Sequence, residues 1–96
     1  MNLGEWDLND TVKPRVEFKV GDTLTDPSTI TLYITDPSGD VSTYTYGAAE
    51  ITKEGTGIFY KNIVVAEQGF WHARYVGTGA CAAQAQMYWT VRRNGA

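Results

Sequence analysis

His72 and Cys81 are the only histidine and the only cysteine of the chain, so nucleophilic or general-base chemistry of the common kinds would have to begin from them. His72 stands in F-W-H-A-R with no serine or cysteine beside it, and it reads as a surface residue and not a catalytic base. Cys81 has no second cysteine to bridge and no histidine at metal-ligand spacing, which excludes an intrachain disulfide and the common zinc patterns. It reads as a small, semi-buried apolar residue at a strand start. Asp22, Asp26, Asp36 and Asp40 lie in or beside two turns; converging, such oxygens hold calcium, whereas singly each satisfies the backbone of its own turn. G-T-G at 77 to 79 lacks the further glycine, the lysine and the helix of a phosphate cradle, and reads as a turn needing positive φ. These residues point to no catalytic group, no metal site and no cofactor, and an enzyme is not expected.

Whatever the chain does must therefore rest on its surfaces and on the elements that present them. At 96 residues it is one small domain whose stability comes from a single apolar core or from partners. The formal charge of -3 gives no basic field for nucleic acid, and Arg92, Arg93, Lys13 and Arg15 are too few to line a groove along its backbone. No apolar run is long enough to cross a bilayer, and the acidic start M-N-L-G-E-W-D lacks the pattern of a signal peptide, so synthesis in a cytoplasm is expected.

Val, Ile and Thr supply about a quarter of the chain, and ten glycines and three prolines punctuate it, which predicts an all-β fold of short strands and tight turns. Residues 14 to 20 alternate Val16, Phe18 and Val20 against Arg15, Glu17 and Lys19, a strand with one wet face. Ile30, Leu32 and Ile34 alternate with threonines and Tyr33 over 29 to 35, and D-P-S-G at 36 to 39 then predicts a hairpin into a strand at 41 to 46 with Tyr44 inward. Residues 48 to 57 predict no more than an edge pairing around Ile51. I-F-Y-K-N-I-V-V at 58 to 65 holds two alternations, for which a bulge that changes the face is the expected resolution. Trp71, Ala73 and Tyr75 face inward from a strand opening at Gly69. A long last strand alternates from Cys81 through Met87, Trp89 and Val91; Ala, Gln and Met also suit a helix, but the period of two runs unbroken into Y-W-T-V. The architecture expected is an immunoglobulin-like or fibronectin-like antiparallel β-sandwich of about seven strands over residues 13 to 92, with a small barrel as the alternative.

Two features exceed a bland domain. Residues 1 to 12 carry Leu3, Trp6 and Leu8 without a strand or helix period, and they read as an extended arm that lies back on its own domain or docks on a partner, the partner being the slightly favoured expectation. Residues 93 to 96 are expected to form a C-terminal tail. Tyr33, Gln84, Gln86 and Tyr88 fall on strand faces that should be wet, a composition suited to protein contacts and also to sugar stacking. Those residues and the three of the arm are the candidate partner-binding set, with self-association as a further option.

V-G-D-T-L-T-D-P-S-T-I-T-L-Y-I-T-D-P-S-G at 20 to 39, Y-T-Y-G at 44 to 47, G-T-G-I-F-Y at 55 to 60, G-F-W-H-A-R-Y at 69 to 75 and G-T-G-A at 77 to 80 together resemble the small immunoglobulin-like structural proteins of tailed bacteriophages. The resemblance covers about residues 14 to 91 and is more specific for the domain type than for its role. It implies a non-enzymatic virion component, made in the host cytoplasm, that decorates or cements the capsid by contact with the major capsid protein. A place at the neck, tail or baseplate, or a module for host-surface glycans, is the alternative it leaves. Phe70 departs from the small polar residue usual in that group, which suggests an interface there.

Overall fold

The computed structural model describes residues 2–47, 50–79 and 81–92, so the expected tail at 93 to 96 and Arg93 lie outside the described residues. Every described element is a strand: β1 (Asn2–Asp7), β2 (Thr11–Val12), β3 (Arg15–Glu17), β4 (Lys19–Val20), β5 (Thr23–Leu24), β6 (Thr29–Thr35), β7 (Val41–Thr45), β8 (Thr52–Gly55), β9 (Ile58–Tyr60), β10 (Ile63–Val64), β11 (Gly69–Thr78) and β12 (Ala83–Arg92). A five-stranded sheet runs β1-β12-β11-β6-β7, and β3-β9-β8 form a second sheet beside the β10-β2 and β4-β5 pairs. Ile30, Leu32, Ile34, Trp71, Ala73, Tyr75, Met87, Trp89 and Val91 of the large sheet share one buried cluster with Val12, Val16, Phe18, Phe59 and Ile63 of the smaller ones. Two layers of strands thus close on one core, a β-sandwich as the alternation predicts, antiparallel except where β1 joins β12.

The competing helix over 81 to 88 does not form: β12 pairs with β11 in unbroken antiparallel register from Gly69↔Val91 to Gly77↔Ala83. Trp71 and Trp89 are directly opposite, their rings nearly parallel at 11° with centroids 6.1 Å apart. The indole N–H of Trp71 donates to the Glu67 carbonyl at 2.9 Å, while that of Trp89 is buried with no acceptor among the described residues. The Asp36 carboxylate accepts from the Ser38 and Asp40 amides, both at 3.0 Å, which fastens the β6–β7 hairpin as D-P-S-G predicts.

In the second layer, β2 pairs β10 and β3 pairs β9 in the same register, so the two pairs are one ladder interrupted at its middle. Pro14 explains the gap, because it has no N–H to give and sits between β2 and β3. Its carbonyl is taken instead by the Tyr75 hydroxyl, which reaches across the core from β11 and donates at 2.7 Å.

Several expectations are corrected. Residues 2 to 7 are not a free arm: β1 runs parallel to β12 as an edge of the large sheet, and Leu3, Trp6 and Leu8 are half-buried against the core. The Trp6 indole donates to the Leu3 carbonyl at 2.9 Å, and Arg92 binds Asp7 and Glu5. Val20 is exposed and not inward, since after Phe18 the chain leaves the sheet for the separate β4–β5 hairpin. Ile51 is buried, but the segment behind it is a hairpin, β8–β9, and not merely an edge contact. No face change occurs over 58 to 65 either: Phe59, Ile63 and Val65 are all buried, and the chain only pauses at Lys61 and Asn62 before resuming the same parity.

Candidate functional site

The core takes one face of the five-stranded sheet; the other face is solvent-exposed and carries the residues that composition alone does not explain. Cross-strand register sets them in rows. Tyr88 of β12, His72 of β11, Thr35 of β6 and Val41 of β7 form one row. Gln86, Arg74, Tyr33 and Thr43 form the next, and Gln84, Val76, Thr31 and Thr45 the third. The candidates Tyr33, Gln84, Gln86 and Tyr88 thus share one surface, and β1, which carries Leu3 and Trp6, borders it while turning those two side chains to the core.

Large apolar area is in water here. Phe70 is 56% exposed, Val41 58% and Tyr88 39%, and the Phe70 and Tyr88 rings lean on each other with centroids 5.8 Å apart at 30°. Beside them, Tyr33, Thr35, Val41, His72, Arg74 and Gln86 line a depression of about 220 Å³. Its walls are fixed by the pleat, because His72 and Arg74 are two apart on β11 and so point the same way. His72 Nε2 donates to Gln86 Oε1 at 3.1 Å, and the Arg74 guanidinium lies over the Tyr33 ring, 4.8 Å from its centroid. Phe70 was singled out in the sequence by its departure from the phage pattern. Arg74, Thr35 and Val41 were not, since they meet only through the register of three strands distant in sequence.

The charges of the second layer behave differently. Arg15 reaches Glu54 at 3.1 Å and Glu17 at 3.3 Å, Lys13 reaches Glu54, Lys19 reaches Glu17, and Lys53 reaches Asp26 at 2.7 Å. The Arg15 hydrogen bond holds the Glu54 carboxyl below its usual range, and Lys53 with the Gly57 amide does the same for Asp26. Asp26 and Asp36 are occupied by these backbone and lysine contacts, and among the described residues no three His, Cys, Asp or Glu side chains converge as a metal site. Cys81 is buried, its thiol directed at the Lys19 carbonyl at 3.5 Å. No protein-family model and no curated protein matches the chain.

Proposed function

We propose that this chain is a non-enzymatic virion structural protein of a tailed bacteriophage, which decorates or cements the capsid by seating the outward face of its five-stranded sheet on the assembled shell. The observation that carries the surface is the exposure, on one sheet face, of the paired Phe70 and Tyr88 rings on one side and of Val41 on the other, with half-buried His72, Thr35, Tyr33 and Arg74 between them. Aromatic residues and arginine are the side chains enriched in protein interfaces, and they are held here on paired strands, so little conformational freedom is left to lose on docking. The placement in a phage particle rests on the motif resemblance, and the major capsid protein is the partner it implies. Binding to a folded surface also stabilises a small domain by mass action, which suits a chain with one modest core.

The test is a titration of the purified chain onto particles assembled without it. Wild type is expected to saturate them, and a Phe70→Ser, Tyr88→Ser double variant to bind far more weakly while melting like wild type. Equal occupancy by the variant would remove the face from the interface. Saturation at only a few copies per particle would move the role to the neck or tail.

A further inference from the structure

Arg74 differs from the other arginines described. Arg15 and Arg92 each pair with two carboxylates, whereas among the described residues no carboxylate lies within ion-pair range of Arg74. Its guanidinium rests on the Tyr33 ring instead. A cation–π contact with a ring takes up no hydrogen-bond acceptor, so the five N–H donors of the guanidinium still need partners among its neighbours. Those neighbours are neutral or basic: Gln86 and Tyr33 lie in the same row, and His72, Thr35 and Val41 close the depression. Of the carboxylates on or flanking this sheet, Glu5 and Asp7 of β1 are held by Arg92 at 3.3 and 2.8 Å, and Asp36 beside Thr35 accepts from the Ser38 and Asp40 amides, while Asp40 beside Val41 stands at the hairpin outside ion-pair range of Arg74. A chain of net charge -3 thus displays, on the outward face that carries Phe70, Tyr88 and Val41, a cation held over an aromatic ring and, among the described residues, outside ion-pair range of any carboxylate.

Resting on the proposal that this face is the docking surface, we propose that the depression receives an acidic side chain of the protein partner, an Asp or Glu whose carboxylate is taken by the N–H edge of Arg74. Tyr33 acts as a positioning residue that keeps the guanidinium from collapsing elsewhere, while Thr35 offers a neutral hydroxyl at the wall. Charge-assisted hydrogen bonds to arginine are about twice as strong as neutral ones and supply register as well as affinity. A saccharide is less well served, because the Tyr33 face on which a sugar would stack is covered by Arg74 and the Phe70 and Tyr88 rings lean on each other.

A titration followed by NMR of the intact chain, with the arginine Nε–H signals resolved, tests this without any particle. The probes are end-capped Gly-Gly-Glu-Gly-Gly, its glutamine twin, and glucuronic acid. The glutamate peptide is expected to move the Arg74 Nε–H and the His72 and Gln86 amides with a dissociation constant at least about tenfold below that of the twin, a difference of about 1.4 kcal/mol. Raising the salt to about 0.5 M should weaken that binding. Arg74→Gln should erase the difference between the peptides, and Arg74→Lys should restore it only in part, because lysine lacks the planar fork. Equal responses to the two peptides, a response centred elsewhere, or tighter binding of glucuronic acid would each overturn the assignment. A particle titration in which Phe70 and Tyr88 prove irrelevant would instead count against the docking face itself.

Discussion

Replacing Tyr75 by Phe removes one oxygen and keeps the ring, so it isolates the hydroxyl that repairs the ladder at Pro14. Tyr75 is fully buried, and its 2.7 Å bond to the Pro14 carbonyl crosses between the layers. Loss of the donor leaves a buried carbonyl without its partner, which costs about 1–2 kcal/mol. In a domain this size that lowers the melting temperature by roughly 4–16 °C. The same burial pushes the Tyr75 hydroxyl well above its ordinary 10.0. As the pH rises past 10.0 the unfolded chain releases this proton while the folded chain keeps it, so wild type loses stability by up to about 1.4 kcal/mol per pH unit. Tyr75→Phe has no such proton. Chemical denaturation of both proteins from pH 7 to pH 11 should therefore show a gap that is constant at neutral pH and closes in alkali. A variant as stable as wild type at pH 7, or a gap independent of pH throughout, would refute the reasoning.

Trp71→Ala should cost about 3–5 kcal/mol, because it removes the partner of Trp89 from the centre of the core; denaturant titration measures it. Deleting the first ten residues strips half-buried Leu3, Trp6 and Leu8, each worth roughly half of the 1.5–3 kcal/mol of a fully buried side chain, so the domain should lose about 3 kcal/mol. An unchanged melting point would restore the independent arm. Asp26→Asn should lower the melting temperature at neutral pH and flatten the acid limb. The carboxylate's contribution is present above its ordinary 3.8 and fades as the pH falls through its depressed folded value. Gly57→Ala should destabilise by more than about 1 kcal/mol, as Gly57 has φ +73 and an added Cβ would lie 2.7 Å from the Phe18 carbonyl oxygen. Thermal unfolding scans read both.

Strands whose inward residues keep one parity from end to end were legible in the sequence: β6, β11 and β12 follow the period of two, and so the core residues they carry could be named. β1 was not, for a local reason. Gly4 has φ +89, and the pairing with β12 shifts register between Asn2 and Glu5, so Leu3 and Trp6 reach the same face although their spacing is odd. A bulge of this kind erases the alternation on which a strand reading depends. The interrupted ladder of β2–β3 with β9–β10 was obscured in the same way, by Pro14 and by the pause at Lys61 and Asn62. Of the candidate site, Tyr33, Gln84, Gln86 and Tyr88 followed from parity alone. That Arg74 lies on Tyr33 and His72 on Gln86 depends on which strands are neighbours, which no local pattern states.

The most direct test of the proposed role is a reconstruction of the native particle at a resolution that traces this chain. The proposal expects the chain on the capsid with the outward face of the β1-β12-β11-β6-β7 sheet buried against the shell, Phe70 and Tyr88 covered and an acidic residue of the capsid protein at Arg74. A chain seated through β3, β8 and β9 with that face in solvent, or particles that lack the chain, would contradict it.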